Sequence, residues 1–223
     1  MTARRKLQAG IGAGAEPHEG LPPGMREDAS AYAHRPTTQA AEGIARLRWT
    51  MEEFERLGEL GFFGAQDRIE LIDGELVPMS PKGSRHEVVR GAVLNRLRRN
   101  LPNEVDLHVE PGWRAAGSYC EPDFLVGPAG CNPTSVPPRE VVLLIEVADS
   151  SLKMDTTTKA GLYARIGVRD YWVVNARTLA TNVYRGPTAK GYASKANFRA
   201  TKPLTSLVMP SLTLRMADLT VDR

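Results

Sequence analysis

The run "VVLLIEV", residues 141–147, constrains this chain more than any other stretch. Five consecutive apolar residues leave no polar face. A strand built from them cannot be half exposed, so it belongs at the centre of a sheet covered on both sides. The next residue, Glu146, is a carboxylate, and an unpaired carboxylate costs several kcal/mol to bury or takes up a proton. Glu146 therefore needs a cation, a hydrogen-bond network or an exposed strand end. An ion pair with a Lys or Arg and a metal-binding role are both open at this point.

The chain has 223 residues, enough for one domain with a sizeable core, or one domain plus a tail. Hydrophobic residues are 42% and charged residues 25%, the balance of an ordinary water-soluble fold. The net charge of +3 is spread among interleaved acids and bases, which is compatible with a nucleic-acid partner but does not argue for one. Cys120 and Cys131 match no zinc spacing and no disulfide framework, so they are read as free thiols of a reducing compartment. No apolar run approaches the roughly 20 residues that span a bilayer. The basic start "MTARRK" is followed by no apolar signal core, so a cytoplasmic location is expected.

Residues 1–45 are rich in Ala, Gly and Pro, show neither helical nor strand period, and are read as a disordered tail. A single domain is expected over 46–223. It opens at "RWTMEEFERL", where Thr50 and Glu53 form a capping-box pattern. "RIELIDGELVPM" carries the turn dipeptide Asp73-Gly74 between apolar strands, a hairpin signal. In "SRHEVVRGAVLNRLRRNL", His86, Val89, Val93 and Leu97 recur at helical spacing. "VDLHVEPGWRA" alternates like one strand, and "YCEPDFLVG" is another, entered through Pro122. "DTTTKAGLYARIGV" reads as a helix with Asp155 as its cap and Gly167 just past its end. "DYWVVNA" and "LATNVYRG" follow as a strand pair, with weaker strands near "YASKANFRA" and "SLTLRM". This order predicts an α/β (α+β) fold, a central mixed β-sheet flanked by helices.

Several residues can carry chemistry. Asp123 opens the apolar strand "FLVG", and two carboxylates on neighbouring strands can share a hard divalent cation through oxygen ligands. Asp155, Lys159 and Tyr163 fall on one helical stripe, so a stripe facing the sheet would bring the Lys159 ammonium to those carboxylates. A surface Asp–Lys pair explains the same spacing. Glu70 points opposite to Ile69 and Leu71 in the hairpin. His86 starts a helix on its apolar stripe, where a histidine also serves as a core or capping residue. There is no G-x-G-x-x-G, P-loop, G-x-S-x-G or H-E-x-x-H.

Taken together, Pro122-Asp123 opening one strand, Glu146 closing another and a nearby lysine resemble the PD-(D/E)XK nuclease superfamily. The usual lysine stands two residues after the glutamate, where this chain has Ala148. One branch carries the lysine on the following helix. The chain resembles that branch, the Uma2 family of restriction-endonuclease-like proteins, in "RIELIDGELVPMSPKGSRHEVV", "EPDFLVG", "LLIEVADSSLKMDTTTKAGLYARIGVRDYWVVN" and "VYRG". Asn175 departs from it, standing where an Asp is common. The resemblance implies a restriction-endonuclease-like core with Asp123, Glu146 and Lys159 as central triad and Glu70 and His86 as accessory positions. It implies one Mg²⁺ or Mn²⁺ on Asp123, Glu146 and the main-chain carbonyl of Val147, hydrolysing DNA phosphodiesters. Arg96, Arg98 and Arg99 are candidate phosphate contacts, against the simpler reading of a solvated helix face. A homodimer would suit a nuclease that cuts both strands. The alternatives are a catalytically silent nucleic-acid-binding or assembly module on the same fold, and a hydrolase of other phosphate esters.

Overall fold

A computed structural model describes residues 37–39 and 45–221. Most of the expected tail lies outside the described residues. At its end, β1 (Thr37–Gln39) pairs antiparallel with β2 (Ala45–Leu47), which runs past the expected boundary at residue 45. The helix α1 (Met51–Glu59) starts at the capping box, with the Thr50 hydroxyl accepting from the Glu53 N–H and the Glu53 carboxylate accepting from the Thr50 N–H.

The main sheet has six strands in the order β12-β11-β10-β9-β8-β5. They are β5 (Val105–Val109), β8 (Phe124–Pro128), β9 (Leu143–Ala148), β10 (Asp170–Asn175), β11 (Thr181–Thr188) and β12 (Gly191–Phe198). Only β9 and β10 run parallel, and the other neighbours are antiparallel. All six residues of β9 are buried, as its unbroken apolar run requires. Alternation along β9 and β8 sends Leu143, Ile145, Val147, Phe124 and Val126 to one face and Leu144, Ala148 and Leu125 to the other.

The first face is covered by α2 (Ser84–Asn100), through Val89, Val93 and Leu97, and by the hairpin β13 (Pro203–Thr205) and β14 (Thr213–Arg215). The opposite face meets a helical segment in three parts: α3 (Leu152–Met154), a π-helical stretch (Asp155–Lys159) and α4 (Ala160–Ile166), which ends at Gly167 in the left-handed conformation (φ 97°). That face also packs against a smaller sheet of order β4-β3-β7-β6, made of β3 (Ile69–Ile72), β4 (Glu75–Pro78), β6 (Trp113–Ala115) and β7 (Ser118–Cys120). The β3–β4 turn has positive φ at both Asp73 and Gly74, the conformation expected of a two-residue hairpin loop.

Two sequence expectations are corrected. "VDLHVEPGWRA" is two strands in two sheets, because Glu110 takes a left-handed φ of 49° and breaks the extended run. Asp155 is not the helix cap. The helical segment already begins at Leu152, and the Asp155 carboxylate lies inside it, accepting from the Ser151 hydroxyl at 2.6 Å. Among the described residues no helix is long and apolar enough to cross a membrane.

Candidate active site

The pairing of β8 with β9 places Phe124 opposite Ile145, which sets Asp123 beside Glu146 on the same face of the sheet. Each carboxylate accepts a main-chain N–H from the other strand. Val147 donates to Asp123 Oδ2 at 2.7 Å, and Asp123 donates to Glu146 Oε2 at 3.2 Å. These two bonds fix both side chains without using a cation.

The stripe of the following helix faces the sheet, one of the two readings its spacing left open. Lys159 Nζ lies 3.1 Å from Glu146 Oε1 and 2.9 Å from Glu70 Oε1. Glu70 also accepts from the Glu121 N–H at 2.9 Å. Tyr163 donates to Glu146 Oε1 at 3.3 Å. Side chains brace the π-helical turn: the Tyr171 hydroxyl donates to the Asp155 carbonyl at 3.0 Å, and the Thr156 and Thr157 hydroxyls donate back to the Leu152 and Lys153 carbonyls of α3, both at 2.6 Å. Single π turns inside helices recur at functional sites because they re-aim side chains. From α2, His86 Nε2 stands 3.1 Å from Asp123 Oδ1, while its Nδ1 faces Glu87 at 3.1 Å.

Glu70, Asp123, Glu146 and Asp155 are each no more than 5% exposed, and the buried bases beside them are Lys159 and His86. Burial pushes the Glu146 carboxyl well above the usual range, Lys159 works against that rise, and Asp155, Asp123 and Glu70 add to it. Burial likewise lifts Asp155 to about 6. Burial alone would depress the Lys159 ammonium, but Glu146, Glu70 and Asp155 outweigh it and hold it well above its usual value. For His86, burial is opposed by the hydrogen bond and charge of Asp123 and by Glu87, and the net effect is a raised value.

These groups line a cleft of about 140 Å³, which also takes in Lys82, Glu121 and Ser151. Among the described residues, no three His, Cys, Asp or Glu side chains form a metal-chelating group. A Mg²⁺ site does not require one, since that ion is held by one or two carboxylates together with waters and substrate phosphate. The oxygen-only donors and the surplus of buried carboxylates over buried cations suit such an ion.

The structure thus gathers Asp123, Glu146, Lys159, Glu70 and His86 into one site. It does not bring Arg96, Arg98 and Arg99 there. They sit on the far half of α2, about 15–20 Å along the axis from His86 at 1.5 Å per residue. Arg96 instead approaches Asp218 at 3.4 Å, and Arg98 and Arg99 are exposed. Sequence reasoning missed the Tyr163 hydroxyl as a partner of Glu146, although the helical stripe already pointed at it. It also missed Lys82, which lies in a loop and carries no periodic signal.

The chain's residues 51–217 match the family model Uma2, described as "Putative restriction endonuclease". Among solved structures, the chain is similar to the crystal structure of a putative nuclease belonging to DUF820 from Anabaena variabilis, with a TM-score of 0.62 and 15% identity, over 76% of this chain and 96% of the other. At that identity the likeness shows the fold. No curated protein matches the chain.

Proposed function

This chain belongs to the Uma2 family of restriction-endonuclease-like proteins, and on that premise we propose that its buried carboxylate cleft is the active site of a divalent-metal-dependent endonuclease acting on DNA phosphodiesters. One observation carries the reading: a surplus of buried carboxylates around a single buried lysine ammonium, open to a cleft. Burial of so much like charge disfavours the empty fold, and a cation with its anionic substrate relieves it.

Asp123 and Glu146, with the main-chain carbonyl of Val147, would hold one Mg²⁺ or Mn²⁺, with Glu70 as an accessory carboxylate. When bound, such an ion polarises a phosphate oxygen and lowers the pKa of a coordinated water. Lys159 stays charged, because three carboxylates raise its proton affinity. Its fixed ammonium orients the attacking water or offsets charge that builds on the phosphate. Glu70 and Tyr163 restrict where that ammonium and the Glu146 carboxylate can point. His86 holds Asp123 from the opposite side. The two free cysteines suit a reducing cytoplasm.

The test is cleavage of plasmid and single-stranded DNA by purified protein with Mg²⁺ or Mn²⁺, and with EDTA, alongside the matching RNA. The expected result is metal-dependent cleavage of DNA that is lost in Glu146→Ala and Lys159→Ala. Activity surviving in both variants would refute these roles. An inactive wild type that still binds nucleic acid would identify a silent binding module.

A further inference from the structure

The rim of the cleft carries a cation that the chemistry above does not use. Lys82 sits in the turn feeding α2, with its side chain 20% exposed and lining the cleft. Its ammonium pairs with Glu110 and stands 3.9 Å from Asp123 Oδ1. Glu110 is shared with Arg90, whose Nε lies 3.5 Å away, so two cations meet one carboxylate. Arg90 is committed elsewhere, gripping Glu87 at 2.5 and 3.3 Å.

The geometry around Lys82 is specific. Glu110 occupies a left-handed backbone conformation, φ 49°, which costs a non-glycine residue on the order of 1–3 kcal/mol. That corner, between β5 and β6, aims the carboxylate at Lys82, and its N–H is anchored on the Asp123 carbonyl at 3.2 Å. A lysine needed only to tie down a turn would keep its tip in water. This one is drawn over the cleft instead.

We propose that Lys82 contacts a backbone phosphate of the nucleic acid next to the scissile one, with Glu110 holding the ammonium in place until that phosphate replaces it. The inference rests on the nuclease reading and moves the phosphate-contacting surface from Arg96, Arg98 and Arg99 to the cleft rim. It fits the charge layout, since Lys82 lies at the cleft beside Asp123, one of the two paired carboxylates.

Fluorescence anisotropy with labelled duplex DNA in EDTA, across 50–200 mM salt, tests it. One phosphate contact contributes about 0.9 to the slope of log affinity against log salt, or about eightfold in affinity at 0.1 M. Lys82→Met should lose that much in both. Glu110→Gln should shift binding the other way, tightening it, because the competing carboxylate charge is gone. Arg98→Ala should change neither. A plain structural tie would lower the melting temperature alike in Lys82→Met and Glu110→Gln and leave binding untouched, which overturns the inference. Wild-type binding with Lys82→Met unaffected overturns it while leaving the nuclease reading intact. No DNA binding by the wild type, either in EDTA or with Ca²⁺ in its place, overturns both.

Discussion

Asp155→Asn should make the metal-free protein more stable, but only above the pH at which the aspartate ionises. Burial, together with the neighbouring Asp123 and Glu70 carboxylates, raises Asp155 from an ordinary 3.8 to about 6, against the opposing pull of Lys159 and the Ser151 hydroxyl. Because the folded value lies above the unfolded one, the stability linked to this group is fully present below about pH 3.8. It is lost as pH rises through about 6. At 1.36 kcal/mol per tenfold change in proton affinity, the loss is about 3 kcal/mol. Asparagine is neutral at every pH and keeps an oxygen to accept from Ser151, now bonded at 2.6 Å. Urea unfolding in EDTA should therefore show the variant about 3 kcal/mol more stable than wild type at pH 8 and equal to it at pH 3.5. In thermal melts at pH 8 that corresponds to about 6–12 °C for a chain of this size. A variant less stable than wild type at pH 8, or a difference independent of pH, would show that Asp155 is not held above its ordinary proton affinity in the fold. A stability gain on removing a charge marks a group kept for function rather than for the fold.

Lys159→Met should act in the opposite direction. Removing the one buried ammonium between Glu70 and Glu146 leaves both carboxylates uncompensated, costing about 3–5 kcal/mol at pH 8. Glu146 is raised in the folded state, so the loss should shrink toward pH 4, where it can take up a proton; urea titrations at both pH values check this, and an equal loss at both would contradict it. Tyr163→Phe removes the 3.3 Å hydrogen bond to Glu146 Oε1 and keeps the ring in place. It should cost about 1–2 kcal/mol, and should lower kcat with little effect on KM; a raised KM with unchanged kcat would place the hydroxyl in substrate binding instead.

Much of the site is legible in the sequence because regular periods carry it. The apolar run before Glu146 forces a central strand. The spacing Asp155, Lys159, Tyr163 puts three side chains on one helical stripe, and the structure turns that stripe onto Glu146. Even the interruption by a π turn leaves the stripe facing the sheet. What stayed hidden depends on backbone conformations that no period reveals. The left-handed Glu110 divides one apparent strand between two sheets and aims its carboxylate at Lys82. Asp155 looks like a cap because Asp before a helical run usually is one, but the helical segment starts earlier and the carboxylate turns inward. The basic cluster of α2 shows the limit of charge patterns: composition puts arginines on the helix, while the direction of the helix takes Arg98 and Arg99 away from the cleft.

Calorimetric titration of Mn²⁺ into the metal-free protein at pH 7.5 decides whether the carboxylate cleft holds a metal. The wild type should bind one ion, and Asp123→Asn, whose side chain keeps its shape but gives up the charge, should bind none. No binding by the wild type, or binding that persists unchanged in Asp123→Asn, would contradict the assignment of the carboxylate cleft as a metal-dependent active site.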